Sequence, residues 1–250
     1  MKLTKSLYPK TFLHFTDKKS KLESILTNGY FRPSYARETI YNKDGIARRF
    51  GIPMVSFCNI RLSLLSEHTK KYGHYGIGLN DDWASKNNLN PVLYMSRYSD
   101  VFTLLDQQIR KFKNDKDIAN EYSKNNDYQS LVNILRYMKN HTGPLTREGK
   151  KEIDYCFADE MEWRFVPTHQ EGIIPIALLS KINSTEEKNK YNDKIRNINL
   201  DFGINDIKYI ILKDKSQLSS FIKNLDKNGL KVNNELISKI FYSSQINDDL

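Results

Sequence analysis

Between residues 159 and 166 the chain reads Asp159-Glu160-Met161-Glu162-Trp163-Arg164-Phe165-Val166, three carboxylates and an arginine interleaved with bulky apolar residues. In an extended strand, side chains two apart share a face. The pattern therefore predicts a half-buried strand on which Glu160, Glu162 and Arg164 project together while Met161, Trp163 and Phe165 point into a core. Two carboxylates set side by side at one end of a sheet raise at least one pKa unless a cation stands between them, and Arg164 is a candidate for that cation. A solvated face on which Glu162 and Arg164 simply pair is the other reading of the same residues.

A chain of 250 residues can bury a sizeable core in one domain spanning residues 1–250. Hydrophobic residues at 39% and aromatics at 12% exclude a disordered chain. The formal charge of +9 favours an encounter with phosphates or another acidic surface. The lysines are spread along the chain, at 18–19, 70–71, 111–116 and 150–151, so no basic arm stands out and ordinary solubility accounts for most of them. Cys58 and Cys156 lack C-x-x-C spacing, and His68 and His74 lack a third ligand, so neither a disulfide scaffold nor a metal site is expected. No apolar run has the length of a signal peptide or membrane span, so the expectation is a cytoplasmic protein with no membrane partner.

Residues 11–16 read as a strand with His14 and Thr16 on one face, and 17–26 as a helix ended by Asn28-Gly29. Residues 30–33 return extended ahead of Pro33. The stretch 34–50, with Arg37, Arg48 and Arg49 among few apolar residues, reads as an exposed loop or short helix. Residues 53–58 form a strand, 62–72 are helical or irregular, and 72–79 form a strand entered through a tight bend whose glycines let the backbone approach something closely. No G-x-G-x-x-G or P-loop pattern occurs. Asn80 or Asp81 caps a helix over 82–86, and 91–95 is a strand. Helical spacing of Leu104, Leu105, Ile109 and Phe112, then of Leu131, Ile134, Leu135 and Met138, predicts a helical insertion over residues 100–145. A polar connection follows at 146–151. Residues 172–176 suggest an edge strand, 185–199 a solvated helix or linker, 206–212 the strongest strand, and 217–225 an amphipathic helix. Residues 229–242 add a short strand and a helix, and 243–250 fray. The fold class is α+β.

Several of these segments resemble the AbiGi-like abortive-infection family of phage-defence proteins. The landmarks are Leu13-His14-Phe15-Thr16 with Asn28-Gly29, then Met54-Val55-Ser56-Phe57-Cys58, Tyr72-Gly73-x-Tyr75-Gly76-Ile77-Gly78-Leu79, Pro91-Val92-Leu93-Tyr94 and Glu162-Trp163-Arg164. That family has been labelled an antitoxin partner, which implies a toxin-antitoxin pair. The opening strand with His-x-Thr and a helix ending in Asn-Gly is also similar to ADP-ribosyltransferase folds of the DarT type. This second resemblance implies a split mixed β-sheet with flanking helices, and transfer of ADP-ribose from NAD to an RNA, DNA or protein acceptor. By it, His14 and Thr16 contact NAD, Glu162 is the catalytic carboxylate that stabilises an oxocarbenium-like ribose, and Glu160 serves the acceptor side. Arg37, Arg48 or Arg49 then grips the pyrophosphate, and Tyr75 or Tyr94 stacks on nicotinamide. No aromatic aligns as the second member of a His-Tyr-Glu triad. The competing readings are a non-catalytic antitoxin or regulatory subunit, and a nucleic-acid sensor working through charge.

Overall fold

The computed structural model describes residues 8–112, 125–147, 150–168 and 173–245. Strand β1 (Thr11–Thr16) leads into helix α1 (Lys19–Asn28), which ends where Gly29 takes φ +70° and its N–H returns to Ile25 O. Strand β2 (Tyr30–Phe31) follows, and then β3 (Ser34–Tyr41) and β4 (Ala47–Cys58) form one long antiparallel hairpin. This corrects the exposed loop expected over 34–50: both faces of the hairpin are covered, Tyr35 packing into one core and Ile40 and Phe50 into another, and the arginines are accommodated by polar partners or left at the surface. Its turn is set by Asn42, whose side chain accepts from Asp44 N and Ile46 N, and by Gly45 at φ +75°.

Helix α2 (Leu65–Tyr72) stops at Gly73 and gives way to β5 (Tyr75–Asn80); Asn80 then caps α3 (Asp81–Lys86) by accepting from Trp83 N. Residues expected as one strand at 91–95 are two, β6 (Asn90–Pro91) and β7 (Leu93–Met95). The chain changes partner between them, Val92 N donating to Glu162 O and Leu93 N to Tyr137 O. Helices α4 (Asp100–Lys111) and α5 (Asn126–Arg136) form within the expected insertion, but Phe112 and Met138 fall beyond their ends, and the helices turn Phe102, Ile109, Tyr128, Val132 and Leu135 inward and leave Leu104 and Ile134 exposed. After β8 (Met138–Asn140), the ends of the expected polar connection belong to strands, β9 (Thr142–Arg147) and β10 (Lys150–Cys156), which pair antiparallel. A 3-10 turn at Phe157–Glu160 precedes β11 (Glu162–Phe165).

Beyond it lie β12 (Ala177–Leu178) and α6 (Thr185–Asp193), the latter opened by a Ser184–Glu187 capping box. Then come β13 (Leu200–Asp201), β14 (Ile207–Leu212), α7 (Leu218–Lys227), α8 (Asn234–Ser238) and β15 (Ile240–Tyr242). Two expectations change here. Residues 173–176 are irregular, the strand falling one step later at Ala177, and the final helix precedes its strand rather than following it. Ser243, expected to fray, is buried and donates to Lys213 O. The basic run beyond residue 112, Glu148 and Gly149 of the connection, Gly172, and the tail beyond residue 245 lie outside the described residues.

The chain divides into two compact units. The first draws on Met1–Phe31, Ser56–Leu89 and Leu200–Leu250. Its mixed sheet runs β15-β14-β5-β1, with β14 and β15 parallel and the other pairs antiparallel. Leu22, Leu26, Ile77, Phe221 and Leu225 are buried in it. The close approach predicted for the glycines of β5 is to the chain itself: a Cβ at Gly78 would lie 2.9 Å from Leu13 Cδ2, and one at Gly76 2.8 Å from the Phe15 ring. The second unit comprises Arg32–Val55 and Asn90–Asn199. One core gathers Ile40, Phe50, Ile52, Phe102, Val132 and Leu135. Another holds Tyr35, Ile173, Ala177, Ile182 and Ile195.

Gly73 combines φ +103° with a virtual Cβ 2.3 Å from Thr16 O, whereas Gly45 has positive φ and nothing within 4 Å. Gly73→Ala is expected to destabilise the first unit by about 3 kcal/mol, the upper end for backbone strain, since strain and a backbone clash combine. Gly45→Ala is expected to cost only about 1 kcal/mol, from φ alone. Urea midpoints of the two variants check the contrast, and equal shifts would contradict it.

Candidate functional site

The alternating stretch builds a site, though not as one strand. Met161 adopts left-handed φ +42°, so Glu160 belongs to the 3-10 turn and β11 begins at Glu162. The faces are also reversed from expectation. Glu160, Glu162 and Arg164 are buried, while Met161, Trp163 and Phe165 are only partly so. The charges form the inner face because each finds a partner there.

Arg164 is wholly buried. Its Nε donates to Glu162 Oε1 at 2.7 Å and its Nη2 to Glu162 Oε2 at 3.2 Å, a bidentate fork. The same Nη2 reaches Glu38 Oε1 on β3 at 2.8 Å, and Nη1 donates to the carbonyl of Arg136 at the end of α5 at 2.9 Å. Lys139 on β8 places Nζ 2.8 Å from Glu160 Oε2 and 2.9 Å from Glu162 Oε2, over the ring of Phe157. Tyr155 on β10 donates its hydroxyl to Glu160 Oε1 at 3.1 Å, and Tyr94 on β7 accepts from Glu162 N at 2.9 Å. Three carboxylates and two cations thus meet inside the second unit.

Electrostatics follow from this packing. Burial alone would raise the Glu162 carboxyl, but Arg164 and Lys139 overcome it and hold the group down at about 2. Burial dominates at Glu38 and raises it, with Arg164 and Lys139 opposing. Lys139 loses hydration, yet Glu162, Glu38 and Glu160 keep it protonated far above the ordinary lysine range. Glu162 is therefore a permanent anion at neutral pH, with both oxygens engaged by cations. Such a group orients its neighbours; it does not exchange protons.

The remaining nominated residues are dispersed. Arg37 donates to the carbonyls of Ile182 and Asn183, Arg48 pairs with Asp106, and Arg49 is exposed on β4. His14, Thr16 and Tyr75 belong to the first unit. There His14 Nδ1 donates to Ser56 O at 2.9 Å between the rings of Phe31 and Phe57, and burial lowers its pKa. Thr16 donates to Asp17 and accepts from Lys18 N, and Tyr75 accepts from Gln217. Of the nominated set, the structure brings Glu160, Glu162 and Tyr94 together. Cys58 is buried and Cys156 donates to Asp159; among the described residues no group of His, Cys, Asp and Glu is placed to hold a metal ion.

Sequence reasoning missed Glu38 and Lys139. Glu38 carried a signal, since it shares a strand phase with Ala36 and Ile40, which marks a carboxylate on an inward face. Lys139, between Met138 and Asn140, carried none.

Residues 30–213 match the family described as "Putative abortive phage resistance protein AbiGi, antitoxin". The abortive phage resistance protein AbiGi of Lactococcus lactis subsp. cremoris is 30% identical over 221 residues, covering 79% of this chain and 88% of that protein. The chain belongs to the AbiGi family. The span matched by the family model contains the whole second unit and every member of the charge cluster. No solved structure matches the chain significantly. Among the described residues no helix is long and apolar enough to cross a membrane.

Lys139→Met leaves Glu160 and Glu162 buried without their shared cation and is expected to cost about 3–5 kcal/mol. Adding Glu160→Gln to it should recover part of the loss, and a urea double-mutant cycle reads the coupling; strict additivity would show that Lys139 does not join the two acids. For Glu162 the sign is fixed by its lowered pKa. Its contribution is complete above the ordinary value of 4.5 and is lost as pH falls towards 2. Glu162→Gln should therefore flatten that part of the acid-unfolding curve.

Proposed function

We propose that this protein acts in abortive phage resistance as an antitoxin-type binding subunit that restrains a partner toxin, rather than as an ADP-ribosyltransferase. The observation that carries the reading is the state of Glu162. A carboxylate that is to stabilise an oxocarbenium-like ribose must present a free oxygen to it in a dry site. Glu162 offers both of its oxygens to Arg164 and Lys139 instead, and Glu160 offers its own to Lys139 and Tyr155. The family's description as an antitoxin supports the same reading. The net charge of +9 suits a partner with an acidic surface.

Full-length tagged protein expressed with the neighbouring genes of its operon is expected to co-purify with one of them in fixed stoichiometry, and to relieve the growth arrest which that gene product causes alone. Incubation with labelled NAD is expected to release no nicotinamide. Nicotinamide release that disappears in Glu162→Gln would overturn the binding reading and restore the ADP-ribosyltransferase-like fold, NAD and a nucleic-acid or protein acceptor in its place. Nucleic-acid binding with a steep salt dependence, without a protein partner, would assign the charge to sensing instead.

A further inference from the structure

The charge cluster has an odd count. Glu38, Glu160 and Glu162 supply three negative charges, while Arg164 and Lys139 supply two positive ones, all within the second unit. Hydrogen bonds are shared unequally among the acids. Glu162 receives the Arg164 fork and Lys139, and Glu160 receives Lys139 and the Tyr155 hydroxyl. Glu38 receives one bond, from Arg164 Nη2 to Oε1; its Oε2 has no hydrogen-bond partner among the described residues. On its face of the hairpin Ala36 and Ile40 lie along β3, Phe50 stands opposite it, and Arg48, two residues from Phe50 and paired with Asp106, shares the face on β4. The charged groups that bear on it are Arg164 and Glu162 from β11, Lys139 from β8 and Glu160 from the 3-10 turn; Arg48, on the same hairpin face, is paired with Asp106 of α4, and Arg136 at the end of α5 donates to Asn133 and to the carbonyl of Pro167. An unpaired excess charge in such a site is costly, and the group with the fewest donors is the one to neutralise.

We propose that folding of the second unit takes up one proton from solvent onto Glu38, so that the five side chains carry no net charge, and that the unit is a proton-linked device which loosens when that proton leaves. The protonated carboxyl keeps Oε1 as acceptor from Arg164 and carries its hydrogen on Oε2. Deprotonation leaves the interior with one excess negative charge, in contact with the guanidinium that ties β3 to β11. The direction of the shift at Glu38 agrees: burial raises it. A raised folded pKa gives a contribution that is fully present below the unfolded value and is lost as pH rises through the folded one.

Trp83 lies in the first unit and Trp163 in the second, so in a Trp83→Phe background of the full chain Trp163 alone reports the second unit. Urea unfolding across pH is compared with and without Glu38→Gln, a neutral mimic of the protonated acid that still accepts from Arg164. Contributions from other groups, His14 included, cancel in the ratio of the two folding constants. The ratio of parent to variant is expected to fall about tenfold per pH unit above the ordinary value of 4.5, until the folded pKa of Glu38 is reached. A ratio independent of pH, or Glu38→Gln as destabilised at neutral pH as Glu162→Gln, overturns the proposal. Should Glu38→Gln fail to fold, infrared spectroscopy of the unmutated protein at neutral pH decides. A protonated-carboxyl band that shifts in Glu38→Asp supports the proposal, and its absence overturns it.

Discussion

Arg164 has no exposed surface, and a guanidinium cannot give up water without replacing every lost hydrogen bond. Glu162, Glu38 and the carbonyl of Arg136 supply the replacements, and they come from β11, β3 and α5 respectively. Lys139 extends the same requirement to β8 and to the turn that carries Glu160. The relative placement of these segments within the second unit is therefore a condition for burying the cations. A one-residue slip of β11 would set Trp163 or Phe165 against Glu38 and strand the charges, so the cluster works as a register lock as much as a source of stability.

The same tight pairing bears on activity. Glu162, held by cations on both oxygens, has its geometry determined by them, and Glu160 is fixed between Lys139 and the Tyr155 hydroxyl. The family match, confined to residues 30–213, includes this unit entire. The arginines at residues 37 and 48 are likewise engaged within the unit, with the carbonyl of Ile182 and with Asp106.

Much of the fold was legible. The helix stop at Gly29, the cap at Asn80, the strand at 207–212 and the two helices on either side of residue 120 follow from local rules that need only a few neighbouring residues. The end of β4 was legible as the strand at 53–58, but the hairpin over 34–50 was missed because its polar, arginine-rich strands lack the apolar alternation that marks a half-buried sheet. The site was half legible. Glu160, Glu162, Arg164 and the pairing between the last two were readable from spacing, but their inward orientation was not, because apolar neighbours ordinarily claim the core.

By itself the sequence determined the α+β class, most element boundaries and the fact that two close acids would need a cation. Only the tertiary structure decided which face those acids take and which cations meet them. The physical reason is range. Capping, periodicity and turn chemistry act over a few residues, whereas Glu38 lies 126 positions from Arg164, and Lys139 lies 23 from Glu162. Charge burial depends on such distant partners, and no local pattern records them.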